Sequence, residues 1–148
     1  MKPEFLYHGS QSLFEILIPY KAKDNTDKGS QFAIYACERF DHVIPFALPI
    51  RWYPDNPLGK RDYRCKDGIT VIEYGSLNPN GFGYVYKLNA ENFDKIDDWQ
   101  WISRVETIPV EIIKITVRDY WHTIIFSSEA SRINKLLYPN GGTGIAGL

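Results

Sequence analysis

Cysteine is nearly absent from this chain: only Cys37 and Cys65 occur in 148 residues. That is too few for a disulfide scaffold, and with His8, His42 and His122 they match no zinc-ligand spacing, so two free thiols and no metal are expected. An excess of charge of one sign is lacking too. The formal net charge is -1, which argues against a protein that coats nucleic acid by bulk electrostatics, although a local basic patch stays open. No run of about eighteen apolar residues occurs, and residues Met1 to Glu4 lead straight into a strand pattern without the cationic start and long apolar core of a signal peptide. These absences predict a cytoplasmic protein with no membrane partner. There is no internal repeat.

What is present is an ordinary globular balance, 44% hydrophobic and 24% charged, unlike that of a disordered chain. The length suits a single domain over residues 1–148, with no linker and roughly two thirds of the unfolded surface buried. Aromatics are plentiful, with ten Tyr, eight Phe and four Trp. Most of them suit a β-rich core, where rings pack well on pleated surfaces, and a minority is left for stacking on a ligand.

Strand patterns fall at residues 4–8, 31–36, 69–74, 82–88, 99–105, 110–117 and 122–126, several rich in β-branched and aromatic residues, as in Ile69 to Ile72 and Tyr84 to Tyr86. Helix patterns are fewer. Ser10 to Leu17 suits a helical turn, Phe40 to Leu48 a helix shortened or kinked by Pro45 and Pro49, and Ser128 to Leu137 a helix capped by Ser127 or Ser128 with apolar positions at Ile133, Leu136 and Leu137. Strands outnumber helices and do not alternate with them, which gives an α+β class. Lys21 to Gly29 reads as a polar loop. Residues 51–68, with Pro54, Pro57, Gly59 and Gly68, read as an inserted loop that is exposed and mobile, and residues 141–148 as a flexible glycine-rich tail.

Tyr7, His8, Gly9 and Ser10 end the first strand, Phe32 to Ala36 form a Tyr-Ala strand, and Trp99, Gln100, Trp101, Ile102 and Ser103 form a third aromatic segment. In this order, over about a hundred residues, they resemble the ADP-ribosyltransferase-like superfamily, which includes NAD-binding toxins and poly(ADP-ribose) polymerases. The resemblance spans most of the chain. It implies two small antiparallel sheets around a cleft for NAD as substrate, with the polar loop Lys21 to Gly29 beside the pocket. Gln100 stands where the family's Glu-Trp-Val-Ser-like strand carries its catalytic glutamate.

By that resemblance His8 anchors the ribose hydroxyls and Gly9 holds the nicotinamide amide through its backbone. An imidazole suits the first task because one nitrogen donates while the other accepts; taken on its own, His8 reads first as a strand-end histidine satisfied by a neighbouring carbonyl. Glycine lets a backbone approach a ligand closely. Tyr35 either lies against the nicotinamide ring or is a core tyrosine, and alternation does not settle its face. Tyr20 is a second ring contact, and Ser10 and Ser30 are polar contacts. Gln100, His8 and Tyr35 form the implied catalytic set.

Loss of nicotinamide passes through an oxocarbenium-like sugar, which a nearby carboxylate stabilises. Glutamine hydrogen-bonds but carries no charge, and losing one such electrostatic contact costs roughly a hundredfold or more in rate. Glu106 would lie about 20 Å from Gln100 along an extended strand, and Glu111 farther still, at a solvent-facing position. The resemblance therefore implies transfer of ADP-ribose to a protein or nucleic-acid acceptor, or weak NAD cleavage. The alternatives are a non-catalytic nucleotide-sensing or interaction module, and an RNA 2'-phosphotransferase-like enzyme, a related branch that also lacks the glutamate but whose basic triad is not evident here. Within residues 51–66, Arg51, Lys60, Arg61, Arg64 and Lys66 outnumber Asp55 and Asp62 and alternate with Trp52, Tyr53 and Tyr63. Such a loop is either a solvated surface or a binder of single-stranded nucleic acid.

Overall fold

The computed structural model describes residues 2–21, 32–52 and 68–140. The expectations for Ser30, Cys65, residues 141–148, nearly all of the Lys21 to Gly29 loop and residues 53–67 of the basic loop fall outside these ranges. The class is α+β. One larger sheet carries, in spatial order, β10 (Glu111–Thr116), β7 (Phe82–Asn89), β1 (Phe5–Ser10), β3 (Phe32–Cys37), β9 (Gln100–Ser103) and β8 (Asp94–Lys95), with β2 (Tyr20–Lys21) also paired to β3. Every ladder in it is antiparallel. Two two-stranded sheets complete the described strands: β4 (Ile50–Trp52) antiparallel to β6 (Gly75–Leu77), and β5 (Thr70–Ile72) parallel to β11 (Ile124–Phe126). The arrangement is thus one broad sheet with two minor ones, whereas two small sheets were expected.

The larger sheet is buried on both faces because its strands alternate between two apolar sets. Leu6, Ile34, Ala36, Tyr86, Leu88 and Trp101 pack on one face. Cys37, Val85 and Ile115 face the other, beneath α1 (Phe40–Ala47). That helix buries Val43, Ile44, Pro45 and Ala47 and stops at Leu48, whose ψ of 133° is the extended conformation imposed by the following Pro49. It comes close enough to the sheet that a Cβ on Gly9 would collide with the Val43 carbonyl, and one on Gly83 with the Ala47 carbonyl. What fills the space beside Gly9 is therefore a helix backbone, where the sequence suggested a ligand.

Local pattern and structure part company in four places. Arg51 and Trp52, read as the start of the inserted loop, belong to β4, because their backbones pair with Ser76 and Gly75 of β6. Residues Ser10 to Leu17 form no helix. Leu17 instead exchanges two 2.9 Å hydrogen bonds with Thr107, and the Tyr86 hydroxyl accepts from Phe14 N at 2.7 Å while donating to Ser12 O at 2.6 Å. Long-range partners thus take the backbone groups that a helical turn would have paired internally. The strand expected from residue 122 begins only at Ile124, because Arg118–Thr123 is a 3-10 helix. In α2 (Ser128–Leu137) the cap is Ser127, which accepts from Ala130 N, but Leu136 and Leu137 are exposed and the buried residues are Ala130 and Asn134. Asn134 turns inward because its Oδ1 accepts from Leu77 N at 2.8 Å, tying α2 to β6. Among the described residues no helix is long and apolar enough to cross a membrane.

Seating α1 on glycine makes a direct prediction. Gly83→Ala and Gly9→Ala each force the helix backbone off the sheet, so each is expected to cost about 1–3 kcal/mol or more, with Gly83→Ala the worse. Equilibrium urea denaturation checks this: an unchanged midpoint in both variants would show that α1 is not held so closely.

Candidate functional site

Along β1 and β3 the two strands share only one described pair, Tyr7 opposite Cys37. Beyond it β1 stays with β7 as far as Ser10, while Phe32 and Ala33 of β3 pair with β2. The strands therefore fork beside Tyr35. His8 Nδ1 lies 2.6 Å from Tyr35 O, and the His8 ring centroid is 6.3 Å from Tyr20 and 6.0 Å from Tyr86.

A carbonyl oxygen only accepts, so Nδ1 carries the proton and donates it. Burial, opposed in part by this hydrogen bond, pulls the His8 pKa below its ordinary value of 6.5, which keeps the ring neutral at pH 7. The other nitrogen, Nε2, then holds a lone pair and makes no hydrogen bond among the described residues. His8 therefore sits inside β1 rather than at its end, but the neighbouring carbonyl expected for it is there at Nδ1, and Nε2 is left as an acceptor.

Register places the other predicted residues. Tyr7, Cys37 and Gln100 lie in one row across β1, β3 and β9 and share a face. Tyr35, opposite Ile102, points to that same face, as does Tyr20, opposite Ala33. Tyr20, Tyr35 and Gln100 consequently form a diagonal with steps of about 7–8 Å. Burial, and then the neighbouring Tyr35, push the Tyr20 pKa up, although Tyr20 as a residue is 45% exposed. The N-terminal turn of α1 borders this face, with Phe40 edge-on to Tyr7 at 5.6 Å and His42 edge-on to Trp99 at 6.4 Å. The fold therefore gathers His8, Tyr20 and Tyr35 at the fork and sets Gln100 beyond Tyr35 on the same face. No described contact joins Gln100 to His8, whose Cβ starts on the opposite face beside Tyr86. The Ser10 hydroxyl is engaged locally, accepting from Ser12 N at 3.1 Å.

The Gln100 segment holds a residue that sequence reading passed over. Asp97 Oδ1 accepts from Trp99 N at 3.0 Å and Gln100 N at 2.7 Å, and its Oδ2 accepts from Gln100 Nε2 at 3.0 Å. An Asp three residues before a strand, in the pair Asp97 and Asp98, is a turn signal that could have revealed it. Trp101 has a structural partner on the other face: its Nε1 donates to Glu38 Oε2 at 3.0 Å, with Lys95 Nζ 3.7 Å from the same oxygen. Glu106 and Glu111 are both exposed. Among the described residues no group of three or more His, Cys, Asp or Glu could hold a metal ion. Comparison with family models, with curated proteins and with solved structures finds no match.

The state of His8 links the fork to pH. Its folded pKa lies below 6.5, so under acid conditions the unfolded chain takes up the proton first. The stability contributed by the neutral ring is complete above pH 6.5 and falls as the pH drops below that value. His8→Gln keeps a donor for the Tyr35 carbonyl but does not titrate, and is expected to flatten the stability profile between pH 7 and 5. Thermal denaturation across that range, showing equal acid sensitivity in both proteins, would refute the neutral, buried assignment.

Proposed function

We propose that this chain is an ADP-ribosyltransferase-like protein that binds NAD at the fork between β1 and β3, where it cleaves the bond to nicotinamide and passes ADP-ribose to an acceptor or to water. The observation that carries this reading is His8: a neutral imidazole, pinned through Nδ1 to Tyr35 O, with an Nε2 lone pair that meets no donor among the described residues. Such an acceptor suits a ribose hydroxyl, whose proton it can take in a hydrogen bond without a change of charge. Tyr20, whose ring lies 6.3 Å from His8, offers a flat surface for the nicotinamide ring at small entropic cost, and the Tyr35 side chain stands on the same face as Tyr20. Gln100, one diagonal step from Tyr35, offers an amide near the sugar, where positive charge develops as nicotinamide leaves.

The neutrality of Gln100 favours one second reading, a nucleotide-sensing module that holds NAD without turning it over. Calorimetric titration with NAD, followed by assay of free nicotinamide over hours, separates the two. Binding with release supports transfer; binding without release supports sensing; absence of binding rejects both. His8→Ala removes the Nε2 acceptor and is expected to weaken NAD binding about tenfold, the upper range for one hydrogen bond. Affinity unchanged in His8→Ala would move the nucleotide away from the fork.

A further inference from the structure

Gln100 begins β9, directly after the hairpin turn that joins β8 to β9, and the turn is closed by Ile96 N donating to Gln100 O at 3.0 Å. Within it Asp97 does two things with two oxygens. Oδ1 satisfies the backbone N–H groups of Trp99 and Gln100, a turn-forming role common for this residue type. Oδ2 is left over from that task and is spent on the side-chain amide of Gln100. A carboxylate only accepts, so the NH2 end of the amide must face Asp97 and Oε1 must face away from it.

We infer that Asp97 is a positioning residue that fixes the orientation of the Gln100 amide, so that its oxygen, the negative end of the dipole, is the atom offered to a ligand. The inference rests on the NAD-binding reading for the identity of that ligand. A sugar that gains positive charge as its leaving group departs is stabilised by the oxygen end of an amide and destabilised by the NH2 end. A freely turning glutamine would offer either. With Asp97 in place the neutral side chain presents one oxygen, as a glutamate would, without the full charge.

The same contact has a consequence for restoring the glutamate. Gln100→Glu alone sets two carboxylates about 3 Å apart, where they cannot both ionise freely, so one is held protonated. Little charge reaches the sugar. In the double variant Asp97→Asn with Gln100→Glu, the asparagine keeps an oxygen for the two backbone N–H groups and turns its NH2 to the new carboxylate, which is then ionised and oriented.

The test uses the whole chain and two readouts. First, without NAD, the side-chain carboxyl groups of Gln100→Glu are titrated by carbon NMR. One carboxyl is expected to titrate well above the ordinary carboxylate range, and this upward shift is expected to vanish in the double variant. Ordinary titration of both groups in Gln100→Glu would overturn the clamp, whatever the ligand. Second, nicotinamide release is measured at pH 7. Gln100→Glu alone is expected to give no increase, the double variant at least a tenfold increase, and Asp97→Asn alone a fall in kcat of about three- to tenfold with little change in KM or in the denaturation midpoint. A rise in Gln100→Glu equal to that of the double variant would overturn the inference. So would a fall in Asp97→Asn that is matched by lost stability, because it would reduce Asp97 to a turn residue. A raised carboxyl titration in a protein that binds no NAD would uphold the clamp and reject the function.

Discussion

The close approach of α1 to the sheet is the constraint on which the remaining features rest. Gly9 and Gly83 lie on neighbouring strands, and the helix backbone at Val43 and Ala47 occupies the volume their side chains would have needed. A helix packed at ordinary distance meets a sheet through side chains. Here it meets backbone, and in return Val43, Ile44 and Ala47 are nearly fully buried. The end of β1 is thereby held between α1 above and β7 beside it. On its other edge the sheet opens, where β1 and β3 would otherwise have run on together.

Beside that opening lies the Tyr35 carbonyl, and an unpaired buried backbone group costs about 1–3 kcal/mol. His8 donates to it from a ring nitrogen. Because the imidazole is bifunctional, satisfying Tyr35 O with Nδ1 also decides the tautomer, and the tautomer decides that Nε2 is an acceptor. The residue that ties the two strands at the fork is in this way the residue that gives the fork its chemistry. A lysine or serine in the same place could have satisfied the carbonyl, but neither would have left a neutral, sterically fixed lone pair behind it.

A parallel economy operates at the far end of the site. Asp97 is needed to close a short turn, and its second oxygen orients Gln100. Both cases use the unspent half of a side chain recruited for folding. This also explains why the Trp101 indole is no part of the site: its N–H is committed to Glu38 on the opposite face, where Lys95 adds an exposed ion pair of small energetic weight.

The α+β class, the main strands and the position of α1 followed from local pattern, because alternation and β-branched runs such as Thr70 to Ile72 bury the same residues whichever strands they pair with. The segment Ser10 to Leu17 shows the limit of that reasoning: its sequence tolerates a helical turn, but Thr107 and the Tyr86 hydroxyl, distant in the chain, take its backbone groups. The same holds for Leu136 and Leu137, left outside because Asn134 has a partner in Leu77. His8 and Tyr35 were recognisable as a polar and an aromatic residue of two strands, while the face of Tyr35, the tautomer of His8 and the grip of Asp97 on Gln100 were not. Side-chain type and spacing are properties of the chain alone. Which lone pair is left unused depends on which strands lie side by side and where they separate, and only the tertiary structure decides that.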